Sequence, residues 1–172
     1  MTSGVAGHNV FVYGSLMADD VVRILLNRVP LSVSAVLPDF HRFSIKGRVY
    51  PAILPVEEDR VNGKVLMGIS DPELYILDEF EDVEYERNTV EVSLTDSSEK
   101  LQAETYIWSN KEDPDLYGTW DFEEWKQLHM EGFVEMTKGF AQEIDLPESR
   151  TRVATYETFY PQKGTENSPS SE

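Results

Sequence analysis

Apolar and polar positions change period several times along the chain, and each change marks an element. Val10, Phe11 and Val12 form a short apolar run, read as a strand. The small-residue turn Tyr13-Gly14-Ser15-Leu16 follows. Val21, Val22, Ile24 and Leu25 then fall at helical spacing, with Asp19 or Asp20 placed to cap that helix. Leu31–Phe43 alternates with period two but is interrupted at Pro38-Asp39, which predicts two strand pieces joined at an edge or bend. Lys46–Pro55 reads as irregular extended chain with a strand at most. Glu57–Arg60 is a polar turn, and Val61–Ile69 a strand in which Gly63 and Gly68 mark bulges or a close backbone approach.

Ser70-Asp71-Pro72-Glu73 opens a second helix, and Leu74, Leu77 and Phe80 give it a buried stripe ending near Phe80. Val90–Leu94 alternates strictly, Thr95–Lys100 is a polar turn, and Ala103–Trp108 returns as the antiparallel partner. Asn110–Thr119 has loop composition. Asp121, with Glu124 three residues on as in a capping box, starts the longest helical pattern, through Phe122, Trp125, Leu128, Phe133, Met136 and Phe140. That stripe faces the core rather than a partner, and Gly132 and Gly139 are where the helix would kink or end. The sum is an α+β fold, a small mixed, barrel-like sheet with a few packed helices. One domain is expected over 8–146, a C-terminal extension over 147–161, and a disordered tail over 162–172.

The 172 residues suit a single domain. The net charge of −17 would repel phosphate backbones and anionic lipid, so neither nucleic acid nor a membrane is an expected partner. Cysteine is absent and the three histidines are scattered, which argues against a metal site, a disulfide framework and a thiol nucleophile. No cofactor is expected. The segment MTSGVAGHN has neither the positive start nor the apolar core of a secretory signal, and no stretch reaches membrane-span length. The expectation is a soluble cytoplasmic protein, with a monomer favoured and the oligomeric state otherwise open.

Two stretches carry candidate chemistry. A strand running into the Gly-Ser turn leaves backbone N–H groups without ladder partners, a concavity suited to an anion; alternatively it is a tight strand exit in which Gly14 supplies a positive φ. In LDEFEDVEYERNTV, Asp78, Glu79, Glu81, Asp82, Glu84 and Glu86 are interleaved with Leu77, Phe80 and Tyr85. A carboxylate held beside buried surface among like charges has its pKa pushed upward, as a general base requires. On the residues alone, Glu81 has no better claim than Glu79 or Glu84. Arg87 either partners one of these acids or sits on the surface at a strand start.

The YGS-L turn on the first strand, the LD-x-FE segment and the downstream Y-x-R leading into a strand together resemble the γ-glutamylcyclotransferase-like superfamily, most closely its plant avirulence-induced-gene branch. Pro51-Ala52 after an aromatic and Val61-x-Gly63 support the match, which covers roughly 8–108 and, loosely, the C-terminal helix. The resemblance implies a small α+β barrel domain and a metal-free cyclisation of a γ-glutamyl group to 5-oxoproline, releasing an amine or amino acid. It implies that Tyr13, Gly14, Ser15 and Leu16, extending to Met17 and Ala18, bind the substrate's α-carboxylate, and that Glu81 is the catalytic glutamate. Several relatives carry glycine directly after that glutamate, where this chain has Asp82. The alternatives are a catalytically weak small-molecule binding protein or a defence-related interaction protein on the same fold.

Overall fold

The computed structural model describes residues 7–143; the expected C-terminal extension and tail lie outside the described residues. Six strands and four helices follow in the order β1 (His8–Val12), α1 (Asp19–Leu26), β2 (Ser32–Ile45), β3 (Ala52–Ile69), α2 (Asp71–Glu81), β4 (Tyr85–Leu94), β5 (Lys100–Trp108), β6 (Leu116–Tyr117), α3 (Phe122–Leu128) and α4 (Met130–Glu143). Hydrogen bonding runs β3-β1-β5-β4-β2, and β2 also pairs with β3, which closes a five-stranded barrel. Only β1 and β5 are parallel; the other pairs are antiparallel. The expected α+β barrel is therefore the observed architecture, and the β4–β5 hairpin pairs Val90 with Ala103 and Val92 with Leu101.

The barrel sorts alternate side chains between two apolar groups. Phe11, Leu37, Ile53, Val65 and Val92 fill the interior. Val10, Val12 and Leu66 point outward to meet α1, α2 and α4. Strand β1 is thus covered on both faces, which is why its apolar run is continuous rather than alternating.

Several local expectations change. The Asp39 interruption does not split β2. Pro38 faces Arg60 and Phe40 faces Pro55, so opposite Asp39 stand Val56, Glu57, Glu58 and Asp59 as a wide bulge in β3. The polar segment Glu57–Arg60 is therefore part of a long strand, not a turn; a bulge exposes polar residues as a turn does, and composition does not separate the two. Asp39 and Glu58 take positive φ there, and the Asp39 carboxylate accepts the Glu58 N–H (2.9 Å). Ala18, not Asp19 or Asp20, is the N-cap of α1; both acids lie in its first turn, where the helix dipole favours negative charge. Asp121 caps α3 by accepting from the Glu123 N–H, without a reciprocal bond from Glu124. The long apolar helix breaks at His129, whose φ of −130° leaves the helical region, and Gly132 and Gly139 sit inside α4. Burial of Phe133, Met136 and Phe140 holds α4 helical despite those glycines.

The start of α2 forms a full capping box: Ser70 Oγ accepts from Glu73 N–H (3.2 Å) and Glu73 accepts from Ser70 N–H (3.0 Å). Arg28 adds a bidentate grip on Glu73 at 2.7 and 2.8 Å. That grip is the largest cause holding the Glu73 pKa below its ordinary value, aided by the Ser70 backbone and opposed by partial burial. A depressed folded-state pKa gives stability that is present above the unfolded pKa and is lost as pH falls through the folded one. Glu73→Gln is therefore expected to cost about 1 kcal/mol at neutral pH, and urea unfolding should show the difference from the parent shrinking as pH falls below about 4 and vanishing only below the depressed folded-state pKa.

Candidate active site

Beyond Val12 the chain leaves the barrel end as a single 3₁₀ turn, Ser15–Met17, closed by Met17 N–H on the Gly14 carbonyl (2.9 Å). Ser15 and Leu16 N–H precede that bond and have no acceptor within the turn. Side chains of the turn and of β5 tie the exit down: the Tyr13 hydroxyl donates to the Tyr106 carbonyl (2.6 Å) and the Thr105 hydroxyl to the Phe11 carbonyl (2.9 Å). Gly14 has φ −128°, so the expected positive φ is not what calls for glycine here. The cause is steric. A Cβ on Gly14 would stand 2.8 Å from Cδ of Pro51.

The C-terminal end of α2 borders the same cavity as this turn. Leu74, Leu77 and Phe80 seat that helix on the core and carry its last residue, the half-buried Glu81, to the cavity. Tyr13, Gly14, Ser15 and Leu16 form one wall and Glu81 is the one carboxylate among the described residues on the lining. Tyr50, Tyr85 and Tyr106 complete it. The cavity volume of about 20 Å³ suits about one water. Met17 and Ala18 are not on this cavity; they border a separate groove with Asp19 and Lys64.

The acids left undistinguished by the sequence are separated here. Glu79 is exposed. Glu84 is held by Arg48 (2.8 Å) and the Tyr50 hydroxyl (3.0 Å). Arg87 partners acids, with Nε 2.9 Å from Asp78 and Nη1 3.4 Å from Glu104. Asp78 also accepts the Tyr106 hydroxyl (2.7 Å). Burial, that bond and the charge of Glu81 all push the Tyr106 pKa up, so the phenol stays protonated in the wall. Tyr85 donates to the Pro51 carbonyl (2.7 Å), which helps place the proline ring against Gly14. Tyr50 and Tyr106 were not singled out from the sequence, and no local pattern distinguishes them from core tyrosines.

Asp82 follows Glu81 with φ 67° and ψ −170°, a region that essentially only glycine populates. Its carboxylate accepts the Val83 N–H (2.7 Å). Glycine is thus the residue the backbone geometry favours at this place. Asp82→Ala keeps the strain and loses the bond, whereas Asp82→Gly removes the strain. The expected order of stability is Gly above Ala by about 1–2 kcal/mol, measurable as a shift in urea midpoint at unchanged slope.

Residues 10–127 match the family model described as gamma-glutamyl cyclotransferase, AIG2-like. The chain is 73% identical over 150 residues to AIG2-like protein D of Arabidopsis thaliana, covering 87% of this chain and 99% of that one. It is 64% identical over 162 residues to AIG2-like protein C of the same plant, covering 94% of each. A solution structure of an Arabidopsis thaliana protein superposes with TM-score 0.64 at 50% identity, covering 81% of this chain and 96% of that one. A γ-glutamyl cyclotransferase structure at 18% identity shares the fold, with TM-score 0.55 and coverage of 88% and 97%.

Proposed function

The chain belongs to the gamma-glutamyl cyclotransferase, AIG2-like family, and on that premise we propose that it cyclises a γ-glutamyl group to 5-oxoproline, with Glu81 as general acid and base. The observation that supports this reading is that Glu81 and the Tyr13–Leu16 turn line one cavity. The backbone N–H groups of the turn hold the substrate's α-carboxylate. Glu81 takes a proton from the α-ammonium, freeing the nitrogen lone pair to attack the γ-carbonyl carbon. The new C–N bond closes the five-membered ring. The amide C–N bond to the leaving group then breaks as Glu81 returns the proton to the departing nitrogen. No oxidant or further reactant enters. Because attack is intramolecular, holding the carboxylate while the chain folds back supplies much of the acceleration. Met17 and Ala18 are not part of the proposed cradle.

The test is incubation with γ-glutamyl amino acids and γ-glutamyl-lysine, reading 5-oxoproline formation. Turnover of at least one substrate is expected. Binding of 5-oxoproline with no turnover across the panel would leave a binding protein on this fold instead.

A further inference from the structure

Arg42 stands behind the Tyr13–Leu16 turn, outside the cavity lining, and is engaged in an unusual way. Its Nη1 donates to two backbone carbonyls, Tyr13 at 2.9 Å and Asn62 at 3.0 Å. Its guanidinium lies 5.5 Å from the centre of the Trp120 ring, and Trp120 is itself anchored by donating Nε1–H to the Val49 carbonyl (3.0 Å). The buried Nε has no hydrogen-bond partner, and no carboxylate among the described residues comes within ion-pairing distance of this arginine. In a chain of net charge −17, a half-buried cation that hydrogen-bonds to carbonyls and lies over an indole, with Asp121 acting on it only as a charge beyond ion-pairing distance, calls for an explanation. Burial lowers its pKa, yet arginine starts so high that it stays charged.

The geometry of a trans peptide supplies the explanation. The carbonyl of residue 13 and the N–H of residue 14 belong to one plane and point in opposite directions. Arg42 grips the Tyr13 carbonyl and is not among the residues lining the cavity, whereas Gly14 is on the cavity wall. We propose that Arg42 is a positioning residue for the substrate carboxylate: by clamping the Tyr13 carbonyl it turns the Gly14 N–H toward the cavity and polarises that peptide toward an anion. The inference rests on the reading of the turn as a carboxylate cradle. A charge-assisted bond to one end of a peptide strengthens donation at the other, and the effect is larger where water is excluded. A neutral residue at 42 loses both the orientation and the polarisation.

The experiment compares 5-oxoproline with 5-oxoprolinamide, which differ only in the carboxylate, by calorimetric titration of the full chain. The parent is expected to bind the acid at least tenfold more tightly than the amide. Arg42→Met should reduce that preference at least fivefold, and Arg42→Lys, which keeps the charge on a single-point donor, should fall between. A structural role alone would weaken both ligands equally and leave their ratio unmoved. A parent with no preference for the acid overturns the cradle reading itself. A parent with the preference, and variants that retain it in full, overturn the role of Arg42 alone. Should Arg42→Met fail to fold, Arg42→Lys decides the matter by the same ratio. In ¹⁵N-glycine-labelled protein, the Gly14 amide should shift with the acid in the parent, and its shift should be smaller in Arg42→Lys.

Discussion

Glu81→Gln is expected to reduce turnover of every accepted γ-glutamyl substrate by about 10²- to 10⁴-fold, with the protein still folded. Glutamine fills nearly the same space at the end of α2 but cannot accept the ammonium proton or return it to the leaving nitrogen. Glu81 is half-buried rather than enclosed, and it is the terminal residue of the helix, so an isosteric side chain there leaves the packing of α2 in place. The thermal midpoint should therefore stay near that of the parent, and 5-oxoproline should still bind through the Tyr13–Leu16 turn. The measurement is kcat from 5-oxoproline release beside a melting curve. A variant as active as the parent would remove Glu81 from the mechanism and return Glu79 and Glu84 to consideration.

The largest expected loss of stability lies at Gly63, which packs directly under the strand leading to the turn. A Cβ there would stand 2.3 Å from the Val12 carbonyl oxygen and 2.9 Å from Cζ of Phe11. The Phe11 ring could rotate only into a filled barrel interior, and the Val12 backbone is paired to Lys64 of the same strand β3. Neither neighbour yields cheaply. Gly63→Ala is expected to cost about 3 kcal/mol, lowering the thermal midpoint by about 10 °C. Because relief comes by moving Val12, and Tyr13–Leu16 follow immediately, the protein that still folds should also bind 5-oxoproline more weakly. Gly139 provides the contrast. It sits within α4 with nothing near its missing Cβ. Gly139→Ala should leave binding unchanged and stabilise by up to about 1 kcal/mol. Equal effects from the two substitutions would show that the Gly63 contact is not a steric constraint.

Among the described residues, no helix is long and apolar enough to cross a membrane. The unusual charge is concentrated where the chain also carries its candidate base, and the fold distributes those acids unequally. Asp78 is drawn into a bond with Tyr106 and a pair with Arg87; Glu84 is paired with Arg48; Glu81 is turned to the cavity. The spread follows from position. Residues 78 and 81 are one helical turn apart on α2, and residue 84 lies beyond the helix end in the 3₁₀ turn Asp82–Glu84, where the chain has changed direction at the strained Asp82.

Periodicity and local chemistry, which depend only on near neighbours in the chain, were enough to place most elements. The run Val10–Val12, the Ser70 start of α2 and the alternation of Val90–Leu94 each announce themselves because capping and pleating act over a few residues. The motif pair Tyr13–Leu16 and Phe80-Glu81 was legible as a family resemblance for the same reason. What lay beyond reach depended on residues far apart in sequence. Whether Glu57–Arg60 turned or bulged was decided by pairing with β2 across the hairpin, since polar composition satisfies both. The need for glycine at 14 came from Pro51, and at 63 from Val12, neither of which is a neighbour in the chain. Glu81 differs from Glu79 and Glu84 only through where the end of α2 meets the exit of β1. Arg42 gave no signal, because its partners are backbone carbonyls of the turn after β1 and of β3 that meet only when the barrel closes.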